Sequence, residues 1–215
     1  MSMKLDDYKT EGGNKKEYPR VEDGTYPARV VQLINLGRQV KTDWKTGEVE
    51  TYDDGNPIVQ PKVWVTFELP TETIDYGGEE SPRWYSKEYT ISAHEKAALP
   101  VLLAACGVDS GDITDLLDKP LLVTIGSTVS GKAKITQTSK LMKGMEVPDI
   151  FKKEKMVVFD PYQPDMDVWE TLPRFLREKI ESAVDYDKMR FPASDKKETA
   201  DKKEEPDYED DTIPF

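Results

Sequence analysis

The chain has 215 residues, of which 37% are hydrophobic and 33% charged, with a formal net charge of −12 and a pI near 4.7. That size fits one domain with extensions, or at most two small ones, and no apolar run approaches the roughly 20 residues that cross a bilayer. The mixed-charge start is not a secretion signal, so a cytoplasmic location is expected, and the single cysteine, Cys106, excludes an internal disulfide and a multi-cysteine metal site.

Residues 1–20 are polar, with Gly12-Gly13-Asn14 and paired lysines, and read as a flexible arm ahead of a domain spanning 21–190. Asp23-Gly24 is a turn signal. Residues 25–36, rich in β-branched side chains, predict a first strand, with Gly37 permitting a bend or bulge at its end. A long polar connection follows, holding Trp44, Gly47, Tyr52 and Asp53-Asp54-Gly55-Asn56-Pro57. The second strand, residues 62–69, alternates cleanly: Val63, Val65, Phe67 and Leu69 share one face, and Trp64, Thr66 and Glu68 the other. Residues 83–91 predict a third strand. Residues 93–106 are Ala/Leu-rich and predict a helix capped by Ser92 and stopped at Gly107, with Pro100 breaking or kinking it.

Residues 120–128 predict a buried fourth strand, turned by Ser130-Gly131 into a fifth at 132–140. The expected fold is therefore mainly β: three strands, a helix, then a two-strand hairpin. That is the element order of the five-stranded OB-fold barrel. Residues 156–159 predict a short extra strand. Trp169, Leu172, Phe175, Leu176, Ile180 and Val184 fall at helical spacing, so an extra C-terminal helix is expected over 171–186, packed back on the barrel. Residues 191–215 are dominated by Lys, Glu and Asp and predict a disordered acidic tail.

Charge is uneven along the chain. Residues 193–215 carry nine acidic side chains and four lysines, a net of −5, which leaves −7 for the other 192 residues. Residues 130–155 carry seven lysines against three acidic side chains. Any site for a polyanion must be a local patch, because phosphate contacts need cations.

The chain ends Asp210-Asp211-Thr212-Ile213-Pro214-Phe215. This closely resembles the C-terminal tip of bacterial single-stranded DNA-binding proteins, an Asp run followed by Ile-Pro-Phe. The resemblance implies a portable docking peptide that recruits replication or repair proteins. Phe215 is the rigid apolar anchor, Pro214 limits the conformations lost on binding, Ile213 adds a second contact, and Asp210 and Asp211 steer toward basic-rimmed pockets. A plain solubilising tail explains the charge but not the Ile-Pro-Phe. The domain itself resembles the diverged OB-fold single-stranded DNA-binding proteins of bacteriophages, over about residues 20–190. Glu22-Asp23-Gly24-Thr25-Tyr26, Tyr89-Thr90-Ile91-Ser92 and Trp169…Leu172-Pro173 carry the likeness. It implies support of DNA replication or recombination for a phage, in a host cytoplasm, with a tip borrowed from the host; separately, the residues give no reason to expect a cofactor or a metal.

Sequence-tolerant binding of single strands needs aromatic faces and cations along a groove. Trp64 is expected to face outward, with Trp84 and Ser86 beside it on the third strand. The opposite parity exposes Arg83, Tyr85 and Lys87 while Tyr89 and Ile91 enter the core, and the sequence leaves both open. Arg38, Lys41, Trp44 and Lys45 lie in or next to the first connection, a loop that OB folds use for ligands. Lys62 begins the second strand. Lys132 and Lys134 alternate with Ala133 and Ile135 and should face solvent, with Lys140 and Lys143 extending that side. Each has a plainer reading: Trp64 covered by the C-terminal helix, the lysines as edge protection. His94 reads as a surface or capping residue, Cys106 as a buried small apolar side chain, and Asp53-Asp54 as turn chemistry.

Neither a Walker loop, a GxSxG nor His/Cys metal spacing is present, so an enzyme is not expected. The rival to DNA binding is an acidic decoy that sequesters repair factors through its tip without binding DNA. The exposed strand edges permit a homo-oligomer.

Overall fold

The computed structural model describes residues 20–191 except 44, 77, 129–130 and 152–154. Residues 1–19 of the predicted arm, Trp44 and the segment 192–215 with its Asp210, Asp211, Ile213, Pro214 and Phe215 lie outside the described residues.

The β-branched and alternating segments form β1 (Gly24–Val40), β2 (Val59–Tyr76), β3 (Glu79–Thr90), β4 (Pro120–Ser127) and β5 (Ala133–Ser139), an antiparallel sheet in the order β3-β2-β1-β4-β5. The predicted extra strand is β6 (Val157–Phe159), which pairs in parallel with β1 at Gln32, Leu33 and Ile34, beyond the point where β4 ends. The chain is thus mainly β, as expected, but the expected closed barrel is not formed. The hydrogen-bonded path stops at β3 and β5. These two edges approach within 8 Å, Cα to Cα, without a ladder between them, so the sheet is curled and open along a seam. Lys87 of β3 and Lys134 of β5 repel each other across it, and like charges across a strand pair disfavour pairing.

Strand β1 serves two cores because its register shifts twice, between Val30 and Gln32 and between Asn35 and Gly37. Each shift turns the following side chains to the other face. Val30 and Leu33 therefore join Val63, Val65, Phe67, Leu69, Leu121, Val123, Ile125 and Ile135 inside the curl. Ile34 and Leu36 point outward into a second core with Phe159, Trp169, Leu172, Leu176, Ile180 and Phe191. Phe191 is 5% exposed, so the folded domain reaches one residue past the boundary expected at 190.

Helix α1 (Ala98–Ala105) plugs the curl with Leu99 and Leu102. It starts later than expected. Ser92 does not cap it; its hydroxyl accepts the His94 N–H in the preceding turn, while Ala97 occupies the cap position. Pro100 falls in the first helical turn, where backbone N–H groups have no helical partner, and so does not break the helix. Gly107, at φ +67°, ends it as expected. A 3-10 turn, Ile113–Leu116, not foreseen from the sequence, is capped by the Asp112 side chain. The predicted single helix over 171–186 is instead two, α2 (Met166–Thr171) and α3 (Arg174–Glu181). Pro173 forces Leu172 out of helical geometry, to φ −66° and ψ 139°.

The C-terminal elements clamp onto β1 at the second bulge. Asp185 accepts the Arg38 N–H at 2.9 Å and the Tyr162 hydroxyl, and Val184 N–H donates to the Arg38 carbonyl. Gly37 lies beneath them at φ +71°, where a Cβ would stand 2.3 Å from Met189 Cε and 3.1 Å from Ala183 Cβ. Gly37→Ala is therefore expected to cost about 1–3 kcal/mol, from strain and overpacking together. A drop in the urea midpoint at unchanged m-value checks this; an unchanged midpoint would mean the clamp yields freely.

Candidate nucleic-acid interface

The register of β2 against β3 places Trp64 opposite Glu88, Thr66 opposite Ser86 and Glu68 opposite Trp84. These are outward residues, yet their face is covered. Helix α3 carries apolar Phe175, Leu176 and Ile180 on one side, and that stripe needs a surface to bury. Phe175 meets the Trp64 ring edge-on, with centroids 5.5 Å apart. Lys179 pairs with Glu88, which also pairs with Lys62 at 3.5 Å. Trp64 is therefore not the open stacking platform that its strand parity implies, and Lys62 is committed to Glu88 and to the Thr90 hydroxyl at 2.8 Å.

Further along the same face, Glu68 is only 1% exposed. It accepts the Trp84 indole N–H at 2.8 Å and the Phe151 backbone N–H at 2.8 Å, which fastens residues 147–151 across the sheet. Arg29 holds the other end of that segment through the Val147 and Pro148 carbonyls. Burial raises the Glu68 pKa, partly offset by these two hydrogen bonds. A carboxyl raised above its unfolded value adds stability that is present at low pH and lost as pH rises through the folded pKa. The wild-type minus Glu68→Gln stability difference should therefore fall as pH goes from about 4 to 7, in denaturant titrations at each pH. A difference independent of pH would place the charge elsewhere.

The connection between β1 and β2 is a polar loop. Lys41 Nζ pairs with Glu50 Oε2 at 2.5 Å, and the Arg38 side chain is exposed above the clamp. Asp43 and Asp54 accept backbone N–H groups of their own turns, chiefly from Thr46 and Asn56, which lower their pKa values. Tyr52 is 56% exposed. Asp54 is thus a turn residue, and among the described residues no three His, Cys, Asp or Glu side chains converge to hold a metal ion. His94 is exposed and its Nδ1 accepts the Lys96 N–H at 3.2 Å. Cys106 is half-buried against the first core, its thiol pushed up to about 12 by burial.

The seam between β3 and β5 differs from both of these regions. Strand alternation turns Arg83, Tyr85, Lys87 and Tyr89 to the inner side of β3. Tyr85 and Tyr89 are 3% and 2% exposed and belong to the core, so Tyr85 offers no open ring. Arg83 is 6% exposed and forms neither an ion pair nor a side-chain hydrogen bond among the described residues. Lys87 is half-buried, its Nζ 5.4 Å from the Tyr89 ring centroid. Its pKa is lowered by burial and then by Lys134. Lys132 and Lys134, from β5 and the turn before it, likewise have no carboxylate partner among the described residues. Lys134, Lys140 and Lys143 are exposed.

Comparison with known protein families, with curated proteins and with solved structures returned no match.

Of the residues singled out in the sequence, the fold therefore brings Lys87 and Lys134 together across the seam, with Arg83 four positions along the same inner face of β3 and Lys132 next to the start of β5. Lys41 and Lys62 are tied to carboxylates, and Trp64 and Trp84 are turned to α3 and to Glu68. The Lys87–Lys134 approach joins strands 47 positions apart and leaves no local signature. A half-buried cation without an acceptor, as Lys87 is among the described residues, is costly to keep. Such groups in an acidic chain are suited to an anionic ligand that supplies the missing acceptors.

Proposed function

We propose that this chain is a non-catalytic single-stranded DNA-binding protein that serves DNA replication, recombination or repair, in the manner of the bacteriophage proteins it resembles. We read the curled sheet as an OB fold left open between its third and fifth strands, with α1 in the position where that fold carries its helix. The observation that carries the reading is the seam: Lys87, half-buried and close enough to Lys134 for its pKa to be lowered by it, with Arg83 on the same inner face of β3, neither with a carboxylate partner among the described residues, in a chain whose net charge is −12. A charge-led site is sequence-tolerant and salt-sensitive. The Asp210…Phe215 segment is the recruiting peptide, its acidic run and apolar anchors matched to basic-rimmed pockets on partner proteins.

The acidic domain and the covered Trp64 face favour one second reading, a decoy that captures repair proteins and leaves DNA alone. Fluorescence anisotropy of labelled oligo-dT at about 50 mM salt separates the two. Binding that weakens steeply by about 200 mM supports the DNA-binding protein. No binding at the lower salt, together with capture of partners through the 210–215 segment, supports the decoy.

A further inference from the structure

We infer that the seam recognises the sugar–phosphate backbone of a single strand rather than its bases. The inference rests on the DNA-binding reading above and specifies its ligand. Stacking needs an open aromatic face, and the described rings near the sheet do not present one at the seam. Trp64 is met by Phe175, Trp84 directs its indole N–H to Glu68, and Trp169 is 6% exposed in the second core. Tyr85 and Tyr89 are buried beneath the seam, and Lys87 lies over the Tyr89 ring.

Among the polar side chains that reach solvent along the two edge strands are Lys87, half-buried on β3, and Lys134 and Gln137, exposed on β5. Arg83 and Lys87 sit four positions apart on one strand, about 13 Å at the rise of a β-strand, and so would meet different phosphates of one chain. A guanidinium is a fork of N–H donors with no acceptor of its own, and matches a phosphodiester. The bases would then point away from the protein, and their identity would matter little.

The test compares a labelled oligo-dT with an abasic oligonucleotide of equal length at low salt. Each stacked base accounts for on the order of tenfold in affinity, so stacking-led binding would lose more than about 100-fold without bases. The backbone reading expects the abasic strand to bind within about fivefold of oligo-dT. It also expects Lys87→Gln and Lys134→Gln, the latter at an exposed position, to weaken both probes by the same factor. Tyr52→Ala, at the exposed ring of the β1–β2 loop, should change oligo-dT affinity by less than about twofold. Oligo-dT binding with loss of the abasic strand, or a large effect of Tyr52→Ala, would overturn the inference and leave DNA binding standing. Failure of both probes to bind would overturn the DNA-binding reading itself.

Discussion

Replacing Arg83 and Lys87 together by glutamine is expected to weaken oligo-dT binding on the order of 100-fold, since hydrogen bonds to charged groups contribute roughly 1.5–3 kcal/mol each. The plot of log affinity against log salt should also flatten, by about 1.4 for two lost phosphate contacts on a single strand. Stability should move the other way. Neither side chain has an acceptor among the described residues, and burial and Lys134 disfavour the Lys87 charge, so their removal should leave the urea midpoint equal or higher. A structural role predicts the reverse pair of results: a lower midpoint with affinity per folded molecule unchanged. The double variant is thus informative through two readings of opposite sign.

Deleting residues 213–215 is expected to abolish partner recruitment and to leave oligo-dT affinity within about twofold. In the proposed docking role Ile213 and Phe215 would supply the apolar contacts, and truncation of such anchors dominates binding energy. Asp210 and Asp211 remain in that deletion and preserve the steering charge. Replacing only those two by asparagine should instead slow association and make recruitment less sensitive to salt. Pull-down of replication and repair proteins with immobilised full chain, compared with both variants, checks this. Equal recovery with and without 213–215 would remove the docking role and leave the acidic segment a solubiliser.

Much of the sheet could be read directly, because strand alternation is local. Val63, Val65, Phe67 and Leu69 declare one buried face by themselves, and Gly37 and Gly107 declare turns that only a left-handed backbone provides. Tertiary partners could not be read that way. Trp64 and Glu68 follow the outward parity of β2, but whether that face meets water depends on α3 and on Phe151, each more than 80 residues away. Leu172-Pro173 divides a run whose apolar spacing is continuous, and the local proline constraint prevails over that spacing. The open seam was hidden for a related reason. Closure of a barrel depends on how β3 and β5 meet, and the charge on Lys87 and Lys134 bears on that meeting only once the curl has brought them together.

Amide hydrogen exchange of the full chain, with and without saturating oligo-dT, reads out whether a single strand lies along the seam. Edge strands carry unpaired N–H groups that exchange readily. Protection is expected to concentrate in residues 83–90 and 133–139, with little change in 62–68 beneath α3. Protection confined to the 41–58 loop, or to the Trp64 face, with the seam unchanged, would contradict it.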